Sequence, residues 1–382
     1  MRLLFVDHAG VLGGAELSLL DLAAHHRARS RVVLFADGPF REALADHDVC
    51  VDVLPLARRA AEQHRDSGWR SLGAAPAVLA AAARLARLAR GADLVHCNSQ
   101  KAFVVGALAG AVARRPVVWH LRDMLTADHF GVWNRRLVVA LANALATRVI
   151  CNSAATARAF VAAGGQAGRA VVVYNGIDAE PPSPAAAAAV RAELGLAGVP
   201  LVGAFSRLAP WKGQHVLLDA LSQLPGVQAV IVGDALFGEQ AYAQGLRDQA
   251  RRLGSGERVR FLGFRRDVSR LMGACDAVVH TAIAPEPFGR MIVEGMLAGR
   301  PVVASDDGGA REIVTDGDTG WLVPPGDPQA LAATLRTILE QPTAAAVVAA
   351  RGRAHALARF SRERMLVDFD AAIQAILDPP AL

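Results

Sequence analysis

The feature that most limits what this chain can fold into is a repeated alternation of short apolar runs with helix-spaced segments. Residues 2–8 (RLLFVDH), 31–37 (RVVLFAD), 49–56 (VCVDVLPL), 92–98 (ADLVHCN), 116–122 (PVVWHLR), 148–153 (RVICNS) and 170–175 (AVVVYN) are runs of this kind. Their Val, Ile and Leu are mostly contiguous and do not alternate with polar residues. A strand with one wet face alternates, whereas a contiguous run is covered on both faces, as in a parallel sheet flanked by helices. The intervening stretches carry helical spacing, for example PAVLAAAARLARLAR at 76–90.

The pattern then starts over, at 199–206, 227–234, 258–264, 275–281, 300–305 and 319–325, and the chain reads as helical beyond 325. Between the two series lies NGIDAEPPSPAAAAAV (175–190), rich in proline and alanine, which reads as an interdomain connection. A chain of 382 residues also exceeds one ordinary core. The expected class is α/β, with two facing Rossmann-like doubly wound domains and a deep cleft at the C-terminal ends of their strands. The expected boundaries are 1–178, 179–360 and a C-terminal helix over 361–382 that packs back toward the first domain.

Hydrophobic residues make up 53% and charged residues 20%, which describes a globular chain. No run reaches the ~18 apolar residues of a membrane span, and the one in MRLLFVDHAG is too short for a signal peptide. Cys50, Cys97, Cys151 and Cys275 are scattered without a CxxC pair, so free thiols in a cytosolic protein are expected and a structural zinc is not. Residues 1–178 hold 21 Lys+Arg against 14 Asp+Glu, and the remainder 20 against 22. The basic first half, with Arg84, Arg87 and Arg90 as a stripe, allows peripheral contact with a membrane's inner face. Solvated arginine is the preferred reading. Aromatics are only 5% and form no basic–aromatic cluster, which argues against nucleic acid. Lys101 and Lys212 are the only lysines, so Lys212 stands out in an arginine-rich background.

Ligand chemistry in such folds gathers where strands end. HAGVLGGAE (8–16) places Gly13 and Gly14 before a helix, where a tight turn and a close backbone approach are equal readings. FSRLAPWKG (205–213) sets Arg207 and Lys212 in a short loop before a helix, a plausible diphosphate clamp. His120 closes the strand PVVWH, while His96 closes a neighbouring strand and competes for the same role as donor, base or charge partner. LGFRRD (262–267) offers the Gly263–Phe264 backbone to a planar base. EPFGRMIVEGMLAGRPVVAS (286–305) carries Glu286 just before a helix and Glu294 a turn inside it. Each carboxylate suits the vicinal hydroxyls of a sugar or ribose. The DxD matches at 46–48, 316–318 and 368–370 fall in a helix, a surface turn and a terminal helix. They read as chance, so no metal is assigned, and neither a GxSxG elbow nor a Walker-A loop occurs.

Taken together, GGAE, VVWHLRD, VICNSAAT, VVYNGID, FSRLAPWKG, FLGF, EPFGRMIVEGMLAGRPVVASDDGGAREIV and DGDTGWLVPPGD run in order from residue 13 to 327. This set resembles the family 4 retaining glycosyltransferases of the GT-B fold, the glycosyl transferases group 1, over nearly the whole chain. The resemblance implies an acceptor-side first domain and a second domain that binds a nucleotide-sugar donor. The expected donor is a UDP-sugar, with GDP- and ADP-sugars left open, and the acceptor a small molecule, glycan or lipid-linked hydroxyl. It implies that Arg207 and Lys212 meet the diphosphate in place of a metal, Glu294 the ribose, and Glu286 the transferred sugar. Phe288, Gly289, Arg290, Met291 and Ile292 would line the donor beside Glu286, and Gly263 and Phe264 the base. His120 would stand near the sugar's C6 hydroxyl, and Gly14, with Gly13, near the donor phosphate or acceptor. Arg290 departs from the family, many of whose members carry a small aliphatic residue there. No cofactor beyond the donor is implied. Two alternatives remain in other classes: a GT-B nucleotide-sugar 2-epimerase using Asp7, His8 and His96, and a non-catalytic nucleotide-sugar-binding subunit.

Overall fold

The computed structural model describes residues 1–56, 75–127, 130–178, 181–196, 198–236 and 238–378. Among them, every apolar run named above contains a strand. The first sheet holds β1 (Leu3–Asp7), β2 (Ser30–Leu34), β3 (Cys50–Val53), β4 (Leu94–Cys97), β5 (Val117–Leu121), β6 (Arg148–Cys151) and β7 (Ala170–Val172). The second holds β8 (Leu201–Phe205), β9 (Gln228–Val232), β10 (Val259–Gly263), β11 (Ala277–His280), β12 (Val302–Ser305) and β13 (Trp321–Val323). All pairings within the two sheets are parallel. The strand orders are β3-β2-β1-β4-β5-β6-β7 and β10-β9-β8-β11-β12-β13.

These orders account for the contiguous apolar runs. The central strands β1, β4, β5, β8, β11 and β12 are buried at every residue, whereas β3 and β7 at the edges are not. Each order reverses direction once, between β1 and β4 and between β8 and β11. The two neighbours there send their following loops to opposite sides, which opens a crevice at their C-terminal ends. Several helices start where a side chain satisfies one of the first amides. Ser99, Ser153, Ser183 and Asp327 each accept a backbone N–H at a helix N-cap, worth about 1 kcal/mol apiece.

The chain divides into two compact units, Met1–Gly176 with Arg362–Leu382, and Ile177–Ser361. In the first, one sheet face packs Trp119 flat on Phe103 at 4.7 Å. On the other face, the helix Arg362–Leu377 inserts Met365, Phe369 and Ile373 among Leu3, Phe5, Leu22 and Val118. Burying each such side chain contributes roughly 1.5–3 kcal/mol, so the last helix belongs to the first unit's core. In the second unit the core gathers around Val202, Leu217, Ile231 and Val279. Arg84 and Arg87 are exposed on the helix Ala75–Ala89, whose buried side is Ala82, Leu85, Ala86 and Ala89, and Arg90 is exposed in the turn just after it. All four cysteines are free thiols. Among the described residues no helix is long and apolar enough to cross a membrane. The run 46–48 lies in the turn after the helix Pro39–Ala45 and not inside a helix as expected.

Candidate functional site

In the second unit the polar chemistry gathers where β8 and β11 end. After β8 the chain makes a one-turn helix, Pro210–Lys212, and then the helix Gln214–Ser222. Gly213 joins them at φ 66°, and a Cβ there would stand 2.0 Å from the Thr281 carbonyl oxygen. Only glycine lets this loop lie against the end of β11. Thr281 Oγ1 donates to the Lys212 carbonyl at 2.9 Å, and the Ile283 amide to the Trp211 carbonyl at 2.9 Å. Buried Gln214 donates to Ser206 Oγ and to the Arg207 carbonyl.

The loop so held aims Lys212 at Glu286, with Nζ 2.6 Å from Oε1. His280, the last residue of β11, brings Nε2 within 2.9 Å of the same oxygen. Glu286 is only 6% exposed. Burial pushes its carboxyl up, but Lys212 and His280 more than offset this and hold it well below the usual carboxylate range. Because Lys212 and His280 both approach Oε1, Oε2 stays outside these contacts. The Glu286 backbone is pinned as well. Its carbonyl accepts the Gly309 amide at 2.9 Å, and Gly308, at φ 55°, lies too close to that carbonyl for any Cβ. Lys212 Nζ is 4.4 Å and Arg207 Cζ 5.6 Å from the centroid of the Trp211 indole. One ring therefore gathers both cations.

Gly289 caps the helix Arg290–Leu297. Within it, Arg290 Nε pairs with Glu294 Oε1 at 2.9 Å, one turn apart. Burial pushes the Glu294 carboxyl up and Arg290 opposes that. Phe288, Met291 and Ile292 point into the protein, Phe288 against Phe360 at 5.6 Å. Their side chains face the core. The Ile292 amide is also taken, by the Gly289 carbonyl. At the end of β10, Phe264 is 67% exposed and its amide donates to Asp234.

The first unit builds a second network at its own switch point. Asp7 ends β1 fully buried and accepts from the His8 amide and from Asn98 Nδ2, each at 2.5 Å. His8 Nδ1 lies 2.8 Å from Ser99 Oγ. Arg122 donates to Asn98 Oδ1 and Asn175 Oδ1, both at 2.7 Å, and reaches His120 Nδ1 at 3.3 Å. His96 Nε2 lies 3.1 Å from that same nitrogen. A guanidinium only donates, so His120 Nδ1 accepts and its proton sits on Nε2. Among the described residues that buried Nε2 has no hydrogen-bond partner. Burial, then Arg122 and His96, hold the His120 imidazole well below its usual range. The buried imidazole is therefore neutral and presents an N–H at Nε2. Burial and Arg122 likewise lower His96, to about 3. The two histidines are partners in one network. Gly13 and Gly14 open the helix Gly14–His25, where the Gly13 amide donates to Glu16 Oε2 at 3.0 Å. Burial, with Asp7 nearby, pushes the Glu16 carboxyl up to about 7.

Sequence reasoning named Arg207, Lys212, Glu286 and His120, and missed His280, Trp211, Asn98, Arg122 and Asn175. His280, Asn98 and Asn175 were findable by the strand-end rule applied to His120. Trp211 carried no signal beyond its place in the loop.

The profile of the Glycosyltransferase Family 4 matches residues 12–181, and that of Glycosyl transferases group 1 matches 188–355. The structure is similar to HepE from Anabaena solved with UDP and glucose, at TM-score 0.90 and 46% identity, covering 98% of this chain and 100% of that one. HepE solved with UDP-glucose gives 0.90 and 45% over the same shares. Among curated proteins, a lipopolysaccharide core biosynthesis glycosyltransferase, LpsE of Rhizobium meliloti, is 32% identical over 48% of this chain and 52% of its own length. The D-inositol 3-phosphate glycosyltransferase of Mycobacterium marinum is 35% identical over 50% and 42%. The chain thus spans about half the length of the curated relatives it matches.

Proposed function

The chain belongs to the group 1 glycosyl transferases of family 4, with the GT-B fold, and on that premise we propose that it moves a hexosyl group from a UDP-sugar to a hydroxyl acceptor with retention of anomeric configuration. The observation that carries this is the paired anchoring of two glutamates. Glu286 and Glu294 each have one carboxylate oxygen engaged by a cation, Lys212 or Arg290, and the other oxygen outside that contact. A carboxylate so fixed accepts a diol without first losing rotamer freedom. Similarity to HepE, which was solved with UDP-glucose, favours glucose as the sugar and uridine as the base.

In this reading Glu294 takes the ribose hydroxyls, Glu286 the sugar hydroxyls, and the exposed Phe264 edge the base. Arg207 and Lys212 stabilise the diphosphate as the anomeric C–O bond breaks, which is the largest electrostatic demand of the reaction. The acceptor hydroxyl attacks from the face the diphosphate leaves, and its proton passes to the departing phosphate oxygen. The buried Nε2–H of His120 is the first unit's donor to a substrate hydroxyl.

The test is a thermal-shift and calorimetry panel of UDP-glucose, UDP-galactose, GDP-mannose and ADP-glucose, followed by UDP release with candidate acceptors. A donor at 100 times its Kd stabilises by about 2.7 kcal/mol. The expected result is a shift with UDP-glucose and acceptor-dependent UDP release. No shift with any donor overturns the reading, and interconversion of sugar isomers without acceptor replaces it with an epimerase.

A further inference from the structure

At the far end of the helix Gly14–His25 from Gly13, the first unit brings together three metal-ligating side chains. His25 is the last residue of that helix, His26 caps it, and Asp370 comes from the helix Arg362–Leu377. His25 Nε2 lies 3.4 Å from Asp370 Oδ2, and His26 Nε2 lies 2.9 Å from Asp370 Oδ1. All three residues offer ligand atoms within 4.8 Å of one another.

An ion pair is one use of this proximity, and a shared metal ion is another. His26 Nε2 and Asp370 Oδ1 are both buried and 2.9 Å apart, and among the described residues neither has a well-aligned hydrogen-bond partner. The imidazole N–H does not line up with the carboxylate, which leaves both atoms available as ligands to one ion. Zinc holds nitrogen and oxygen ligands at about 2.0–2.2 Å, which sets tetrahedral neighbours roughly 3.3–3.6 Å apart. Of the two His–Asp separations, 3.4 Å lies in that range and 2.9 Å falls short of it.

The surroundings hold the ligands in place. The two imidazoles stand edge to face at 4.7 Å, and His26 also packs on Phe369 at 6.0 Å. Phe369 is fully buried beside Asp370, so core packing sets where the carboxylate stands. A cation here also meets the C-terminal end of a helix, where the backbone dipole favours positive charge. Two imidazoles with one carboxylate select zinc and its neighbours over magnesium or calcium.

We propose that His25, His26 and Asp370 form a site for a divalent transition metal, zinc by its ligand set, with a fourth position for water. The bound ion fastens the C-terminal helix to the helix Gly14–His25. The Asp368–Asp370 run, read from sequence as a chance match, supplies one ligand through its second aspartate.

The experiment uses tag-free, full-length, metal-stripped protein carrying Cys50→Ser, which removes the exposed thiol as a competing ligand. Zinc binding is measured by calorimetry, cobalt binding by its visible absorption, and thermal unfolding with and without metal. One equivalent should bind and raise the unfolding temperature. His26→Ala and Asp370→Asn should each weaken binding at least about tenfold, since even outer partners of metal ligands are worth that much. Should those variants fold poorly in chelator, His25→Gln, at a partly exposed position, must show the same loss. Absence of binding, binding unchanged by these substitutions, or an equal thermal shift with millimolar magnesium overturns the proposal.

Discussion

Lys212→Met tests whether the buried pair at the switch point is built as described. The substitution keeps an apolar stem but removes the charge 2.6 Å from Glu286 Oε1. The side chains of Lys212 and Glu286 are 15% and 7% exposed, so solvent replaces little of what is lost. Removing one partner of a buried pair costs about 3–5 kcal/mol, because it leaves the other charge uncompensated. For a unit of this size that is a fall of roughly 6–20 °C in unfolding temperature. The deficit also has a pH signature. In the wild type the Glu286 carboxyl is held below its unfolded range. Its contribution is therefore fully present above about pH 4.5 and is lost as pH falls through the lower folded value. In the variant, burial is no longer offset by Lys212, so the carboxyl rises and takes up a proton as the pH drops. The difference between the two proteins should be largest near pH 7 and shrink toward pH 4. Calorimetry and urea denaturation of the donor-free protein across that range measure it. Adding Glu286→Gln to the variant should recover much of the loss, since no buried charge then remains. A deficit under about 1 kcal/mol at pH 7, the size of a surface pair, or one that does not shrink in acid, refutes the reasoning.

Four further outcomes are expected. His120→Ala should lower kcat by about 10²-fold or more while leaving UDP affinity near wild type. Because the imidazole stays neutral, the wild-type kcat profile should lack an inflection near pH 6.5 that disappears in His120→Asn. Glu294→Ala should raise the donor Kd at least ~10-fold through loss of charged hydrogen bonds, and an unchanged Kd in calorimetry removes the ribose assignment. Turnover should survive EDTA, since Arg207 and Lys212 carry the leaving-group charge, although chelation should lower the unfolding temperature if the proposed zinc is bound. Activity lost to EDTA and restored by magnesium or manganese counts against this. Glu16→Gln should flatten a fall in stability between about pH 4.5 and 7. There the folded state holds a proton that the unfolded state has released, and denaturation curves that keep the same slope in the variant disprove it.

Much of the architecture was legible because burial on both faces leaves a local mark. Contiguous runs such as LLFVD and LVGAF are what a strand between two helix layers must be made of, and each one is a central strand here. The placing of Arg207, Lys212 and Glu286 at strand ends was legible for a related reason, since the loops there follow directly from the strand runs. The helix Arg290–Leu297 shows where that logic stops. The resemblance grouped Ile292 with the donor-lining residues, yet helical periodicity turns its side chain and that of Met291 into the core. The pairings were beyond reach of the sequence alone. Strand order, not chain order, makes β8 and β11 neighbours and brings Lys212 and His280 onto one oxygen of Glu286. It also joins His96 to His120, which the sequence offered only as competitors, and core packing of the last helix carries Asp370 to His25 and His26. Residue type and spacing act over a few positions, and so record burial and turns. Which side chains share an atom depends on strand adjacency and register, which the packing of the whole core decides.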